Sequence, residues 1–481
     1  MEISSIQRQS LISFSSTIAL TAIGFISTIY FAHTLGPAPL GVYFLFIAYF
    51  GIFNLIGEGG FGGAAVKKIS EGKEQNEYFS AFVFIRIVLL VVSITVLLFA
   101  APFIKDLTSS GIFFWLLLSL IVAVFSGCSG MGNYGAGKVG IFQISTFVDA
   151  LSKTLFQITA VFLGFSVAGL AGGFIVGLTA GSVINFRYLD LRLVWFRLSH
   201  LKNLCGFSFW IFLTASGSLI FNYADTIFIG FFMTSADVGI YRTAFQLSSL
   251  ASFTTLALQS VLYPKISNWE VKGQLPKIEN TLAAACSYSL LLAVPTCIGG
   301  WILGDKLLYY LYGASFVGGA TPLFFLLLMQ IVNVFMCLGT MSLTALNRPK
   351  DTFTVTAAAS IVNLILDLAL IPVIGITGAA VATLIAMTLN ALGAYIFLSR
   401  VISIKFEYST IKNILYAAGF MGIFLLVVHS IIPLTHVVIV LSLVIIGAGV
   451  YILILFKLDQ KIHDELKDLS ANLGVPWPRW L

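Results

Sequence analysis

Apolar residues in this chain run on in stretches of about 20, one after another and almost without a break. An α-helix of that length crosses the ~30 Å hydrocarbon layer of a bilayer. The pattern predicts an all-α integral membrane protein with fourteen spans, at 11–33, 40–57, 79–104, 112–134, 144–163, 166–186, 206–232, 239–262, 280–303, 317–345, 352–372, 376–398, 411–432 and 435–456. An even number of crossings puts both termini on one side. The first run is long enough to span and has no small-residue cleavage site after a short core. It reads as a true first helix.

Two stretches repeat each other. The first, 35–70, is LGPAPLGVYFLFIAYFGIFNLIGEGGFGGAAVKKIS, and the second, 229–267, is IGFFMTSADVGIYRTAFQLSSLASFTTLALQSVLYPKIS. Both hold a Gly, a short polar turn, GVY or GIY, a long apolar run and a closing KIS. Tyr43 to Ser70 is 27 residues and Tyr241 to Ser267 is 26. Such a repeat, each copy opening a hairpin of two apolar helices, predicts two homologous membrane halves. The expected organisation is an N-lobe at 1–190 (spans 1–6), a cytoplasmic linker at 191–205, and a C-lobe at 206–400 (spans 7–12). Spans 13 and 14 follow at 401–456, with a charged, amphipathic tail at 457–481 whose Trp477, Arg479 and Trp480 suit a lipid interface.

Composition removes the soluble classes. The chain is 59% hydrophobic and 10% charged, with mean hydropathy +1.01, too little polar surface to cover a water-soluble domain. Its 43 glycines fit closely packed membrane helices. The five cysteines (Cys128, Cys205, Cys286, Cys297 and Cys337) are scattered, with no CxxC and no His–Cys cluster, so neither a metal site nor a disulfide framework is expected. No cofactor is expected either. The net charge of +6 reports topology rather than nucleic acid. Twenty-one of the 26 lysines and arginines fall in the termini and one set of loops, and only Lys105 and Lys306 in the other. By the positive-inside rule both termini are cytoplasmic, in the plasma (inner) membrane. The outer connections, such as 34–39, 234–238 and 373–375, have no room for a catalytic domain. A glycosyltransferase or ligase, and enzymes generally, are therefore not expected.

The GVY/GIY hairpin, GAAVKKISEG after span 2, LLYYLYGASF after span 9 and NLILDLALIPVIGITGAAVATLIA from Asn363 together resemble polysaccharide exporters. These are the O-antigen and repeat-unit flippases of the multidrug/oligosaccharidyl-lipid/polysaccharide exporter superfamily. The resemblance covers nearly the whole chain, from Leu11 to about Arg400. It implies two six-helix bundles related by a pseudo-two-fold axis, with a central cavity open to one side at a time. It also implies transfer of a polyprenyl-pyrophosphate-linked glycan from the cytoplasmic to the outer leaflet by alternating access. Many relatives carry Arg just before the Leu-Gly after span 1. This chain has His33-Thr34 there, and no anion contact is carried over to that place.

Charges inside hydrocarbon are costly and mark functional candidates. Arg86, Lys153 and Arg242 are the cations within the spans, suited to a pyrophosphate as charged partners. Arg86 either faces the cavity or snorkels to the inner headgroups. Asp149 and Lys153, at i and i+4, form either a self-neutralising pair or a site with Lys153 partly free. Asp225 and Arg242 flank the second GIY hairpin at bridging distance, as a structural or gating pair. Asp367, one turn from Asn363, is either a proton or sodium coupling site or an acid bonded to that amide. Glu58 ends span 2 at the inner boundary. Asn54, Asn222, Gln246, Gln259, Asn363 and Asn390 are candidate sugar contacts, each equally suited to interhelical packing. The expected partners are the lipid-linked glycan, membrane lipids, H+ or Na+, and other polysaccharide-assembly proteins, with no nucleic acid. The alternatives weighed are an ion-coupled multidrug-type exporter and a lipid II flippase of the same superfamily.

Overall fold

The computed structural model describes residues 5–464 and Lys467, with backbone alone at 5–19, Lys105, Phe207, Trp210, Thr214 and Ser218. The amphipathic end of the tail lies outside the described residues. Within them the regular structure is helical, as a chain whose backbone must satisfy itself in hydrocarbon requires. The helices are α1 (Ser5–Leu35), α2 (Pro37–Glu58), α3 (Phe61–Ser70), α4 (Gln75–Ala100), α5 (Lys105–Ser109), α6 (Phe113–Gly135), α7 (Val139–Phe162), α8 (Val167–Arg187), α9 (Leu198–Phe232), α10 (Ser235–Ser249), α11 (Phe253–Val271), α12 (Leu275–Tyr312), α13 (Ala320–Ala345), α14 (Pro349–Ile374), α15 (Ile376–Leu398), α16 (Tyr408–Ile431) and α17 (Val437–Leu458). Every expected span falls on these helices, span 8 divided between α10 and α11, and ten stretches among the described residues are long and apolar enough to cross a bilayer.

Two expected spans differ in extent. Span 2 stops where Gly59 and Gly60 both turn left-handed (φ 56° and 73°), and the KKIS stretch restarts as the separate helix α3. A side chain at Gly60 would also strike the backbone of Ser208 and Phe212 on α9, so both conformation and contact demand glycine. Span 8 does not end near 262. A 3-10 turn at Leu250–Ser252 interrupts it, and α11 continues to Val271.

The chain packs as two compact units, Met1–Arg242 and Thr243–Leu481. The first thus includes α9 and the start of α10. In this unit α9 lies on α2, α3 and α4, and α8 lies on α7 through glycines at every fourth residue. Side chains at Gly169, Gly173, Gly177 and Gly181 would meet Ala160, Gln157, Asp149 or Lys153, and Ser145 in turn. This row brings the backbones together as small residues do in membranes. It also fixes the polar stripe of α7 against α8.

The repeated hairpins meet at their own glycines. A side chain on Gly41 of α2 would fall on the carbonyl of Ser235, and one on Gly239 of α10 would fall on the carbonyl of Pro37. The contact is reciprocal, residue for residue along the repeat. The repeat tyrosines that follow are used alike. Gln157 Nε2 donates to the Tyr43 hydroxyl at 2.8 Å, and the Tyr241 hydroxyl donates to Asp225 Oδ2.

In the second unit, α11, α12, α13, α15, α16 and α17 share one core, with Ala293, Leu303, Val334, Leu343, Ala417 and Leu455 buried in it. Helices α16 and α17 pack on α12. Large apolar side chains such as Phe99 (79% exposed), Phe162 (80%) and Val438 (69%) face outward, the inverse of a water-soluble surface.

Gly41→Ala and Gly239→Ala are each expected to lower the thermal midpoint of the purified protein by several degrees, because overpacking costs ~1–3 kcal/mol. Gly24→Ala, with no atom within 4 Å of the added carbon, should leave it unchanged. Tyr241→Phe should cost more than Tyr43→Phe. It withdraws a donor from a buried carboxylate, whereas Gln157 Nε2 keeps its second bond, to the Leu170 carbonyl at 2.7 Å. Scanning unfolding of these variants and the wild type in one detergent checks both orders.

Candidate functional site

The three cations expected inside the spans go to three different surroundings, although all three belong to the first unit. Arg242 is half-buried near the turn of the second hairpin. Its guanidinium lies 5.5 Å from the ring centre of Tyr223 and 5.8 Å from that of Phe44, and Nη1 donates to the Asn222 carbonyl at 3.2 Å. At these distances both ring faces attract the guanidinium charge, and its N–H groups are the part that bonds a planar or tetrahedral oxyanion. Asp225, the acid expected to bridge to Arg242, is 6% exposed and accepts from the Tyr241 hydroxyl. Residues 241 and 242 are adjacent on one helix and point about 100° apart, so spacing alone did not show that the tyrosine faces the acid.

Arg86 neither faces an open cavity nor snorkels. It is 2% exposed, and its Nη2 donates to the Ala123 carbonyl of α6 at 3.4 Å. Its Nε and Nη1 have no hydrogen-bond partner among the described residues. Gly127 makes the room, since a side chain there would start 3.0 Å from Nη2.

Asp149 and Lys153 both lie half-buried on α7, pressed against Gly177. Among the described residues they close no contact ion pair, although the Lys153 charge still acts on the Asp149 carboxylate. Asp149 lines a cavity of about 190 Å³ with Ser126, Ser145 and Asn185 beside the apolar Met131 and Phe142. Asn185 Nδ2 donates to Ser145 Oγ at 2.8 Å, and Asn133 Nδ2 to the Asn185 carbonyl at 2.8 Å. A carboxylate, hydroxyls and an oriented amide together suit sugar hydroxyls or a monovalent cation. The sequence reading missed Ser126, Ser145, Asn133 and Asn185. The one signal was two asparagines in apolar runs, and nothing in their spacing paired them.

The other first-unit candidates stand apart from that cavity's lining. Glu58 Oε1 rests over Gly62, Asn54 is half-buried on α2, and Asn222 is exposed beside Arg242. In the second unit, Asn363 and Asp367 are fully buried on α14. Neither amide atom of Asn363 has a hydrogen-bond partner among the described residues, so the expected bond between the pair does not form. Gln259 accepts from the Cys337 thiol at 3.0 Å, Asn390 is buried near Thr356, and Gln246 is half-buried on α10. No group of three or more His, Cys, Asp or Glu placed to hold a metal occurs among the described residues.

This arrangement has counterparts. The family model described as "Polysaccharide biosynthesis protein" matches residues 31–321. "Probable low-salt glycan biosynthesis flippase Agl15" of Haloferax volcanii is 28% identical over 440 residues, covering 89% of this chain and 92% of that protein. "Probable flippase AglR" of the same organism is 26% identical over 475 residues, covering 97% and 99%. Among solved structures, "Lipid II flippase MurJ, inward closed conformation" superposes with a TM-score of 0.77 at 19% identity, over 92% of this chain and 98% of that one. The fold is thus that of the superfamily the sequence resembles. A match over more than half the chain settles the family: this is a member of the polysaccharide biosynthesis protein family, built as a multi-pass helical membrane protein.

Proposed function

We propose that this protein moves a polyprenyl-pyrophosphate-linked oligosaccharide from the cytoplasmic to the outer leaflet by alternating access, in the service of surface-glycan synthesis. The observation that carries the reading is Arg242, a cation held half-buried inside a span by two aromatic rings. A guanidinium within an apolar run marks a functional candidate by default, and a pyrophosphate offers bidentate oxygens of the right geometry for it. The match in sequence to flippases along nearly the whole chain supports the same reading. The lipid tail stays in the bilayer while the head crosses, so no bond is made or broken and no catalytic residue is required. The membrane is the plasma membrane, with both termini cytoplasmic. Assembly proteins of the same glycan are the natural neighbours.

Lys153 and the cavity beside Asp149 are proposed to meet the glycan hydroxyls as the head passes, joined by Asn54 and Asn222. Asp367, with the buried amide of Asn363 one turn away, is proposed as the seat of a coupling H+ or Na+. A buried amide with both atoms unbonded is destabilising by itself, and an ion or a water would satisfy it. Arg86, buried on α4 against α6, is proposed to hold the first unit's helices rather than to touch substrate.

In proteoliposomes loaded with a fluorescent lipid-linked oligosaccharide, Arg242→Ala is expected to lower translocation at least about tenfold at equal protein content. That is the scale of losing one charge-assisted contact of ~1.5–3 kcal/mol. Arg242→Lys should recover only part, since an ammonium keeps the charge and loses the bidentate fork. Arg86→Ala should instead lower the yield and thermal midpoint of the folded protein. Unchanged transport in Arg242→Ala would remove this site from the mechanism.

A further inference from the structure

Two connections on the basic side of the chain are built alike. After α8, residues 188–197 leave the helix and run along the start of α4. The Arg192 amide donates to Asn76 Oδ1 at 2.9 Å, the Val194 amide donates to Ser80 Oγ at 2.8 Å, and the Phe196 ring lies 5.7 Å from Phe84. Positions 76, 80 and 84 share one face of α4, so this strap follows the helix for ~12 Å along its axis. Leu189, Leu191 and Phe196 pack on Tyr78, Phe79 and Phe82. Leu193, Trp195 and Leu198 point the other way and are 69%, 98% and 67% exposed.

Charge follows the same outward face. Arg187, Arg192, Arg197 and Lys202 are all exposed, and none has an ion-pair partner among the described residues. Asp190, the one acid from 187 to 202, is taken up by Lys138. His200, 3% exposed, holds the end of the strap by its contact with Glu74 at 3.2 Å.

The second strap, 399–407, lies on α12 after α15. The Ser403 amide donates to Glu279 Oε1 at 2.8 Å, and the Phe406 ring packs 6.2 Å from Phe335. It ends beside Tyr408, 75% exposed. Of its charges, Lys405 pairs with Glu279 at 3.2 Å and Glu407 with Lys461 at 2.5 Å, and Arg400, 5.0 Å from the Phe397 ring centre, is the one cation of this strap without an ion pair among the described residues.

We propose that the strap at 187–202 is a docking surface for anionic phospholipid headgroups, and that its counterpart at 399–407 is not. Trp195 sits at the level where indole rings favour the membrane interface, with Leu193 and Leu198 reaching toward the acyl chains. The four cations meet lipid phosphates, as basic clusters on the cytoplasmic side of a span do. Donation of the Arg192 and Val194 amides to α4 side chains suits a backbone that lies where water is scarce. The proposal stands independently of what the protein transports.

The test places a bimane fluorophore at Trp195→Cys, and separately at Tyr408→Cys, in a chain whose exposed Cys205 is replaced by Ser. The labelled proteins are reconstituted in phosphatidylcholine vesicles containing an equal mole fraction of brominated phosphatidylglycerol or brominated phosphatidylcholine. At 195 the anionic quencher should associate about fivefold or more tightly than the zwitterionic one, the factor expected from even one added lysine or arginine contact. The preference should fall on raising ionic strength and vanish in Arg192→Glu/Arg197→Glu. At 408, where Arg400 is the one cation of the strap without an ion pair among the described residues, the preference should be several-fold weaker than at 195. Equal quenching at 195, a preference that survives salt and charge reversal, or the same preference at 408 would each overturn the proposal. A label at 195 quenched by neither lipid would place the strap in water or against another protein, and would overturn it too. The salt series needs no second mutation, so misfolding of the charge-reversed chain cannot hide the answer.

Discussion

Backbone meets backbone where the two GVY/GIY hairpins cross, and much of the first unit follows from that contact. Gly41 and Gly239 each leave the space that the other hairpin's turn occupies, at Ser235 and Pro37. No side chain could stand there without separating the helices. The crossing ties α10 to α2, and α9 comes with it, which is why the compact first unit runs on to Arg242. It also sets the tyrosine two residues on. Tyr43 and Tyr241 point to a polar partner on a neighbouring helix, and the latter donates to Asp225. One residue further, Arg242 lies over Tyr223 and Phe44. Ring faces attract the guanidinium charge. Its N–H edge is the part that a phosphate would meet.

Small residues carry the same logic through the rest of the unit. Four glycines at four-residue spacing on α8 let α7 approach so closely that its polar stripe is pressed into the interface. Polar groups there find partners in one another, as Asn133, Asn185 and Ser145 do, or line the cavity beside Asp149. In hydrocarbon the alternative to a partner is an unsolvated dipole, so close packing and polar placement are one design problem.

What the sequence revealed follows from what hydrocarbon enforces. Span length, the repeat and the basic bias of alternate loops are properties of composition along the chain, and all fourteen spans appear as helices. Direction around a helix axis was not legible. In water the apolar face of a helix betrays its inner side, but here lipid and core are equally apolar, so Arg86 could be placed in depth and not in azimuth. The same blindness left Tyr241 out of the reading, although it is the residue that donates to Asp225. The break at Gly59–Gly60 was visible as a glycine pair, but only the left-handed φ of both shows why the chain must turn there. The pairing of Asn133 with Asn185, 52 residues away, had no local trace at all.

The most direct measurement of the central claim is the sidedness of lipid-linked oligosaccharide in cells depleted of this protein. Lipid extraction combined with a sugar probe applied to right-side-out and inverted membranes reports how much carrier-bound glycan each leaflet holds. A flippase predicts accumulation on the cytoplasmic face, reversed when the intact gene is restored. An unchanged distribution between the leaflets, with the protein gone and surface glycan still assembled, would contradict it.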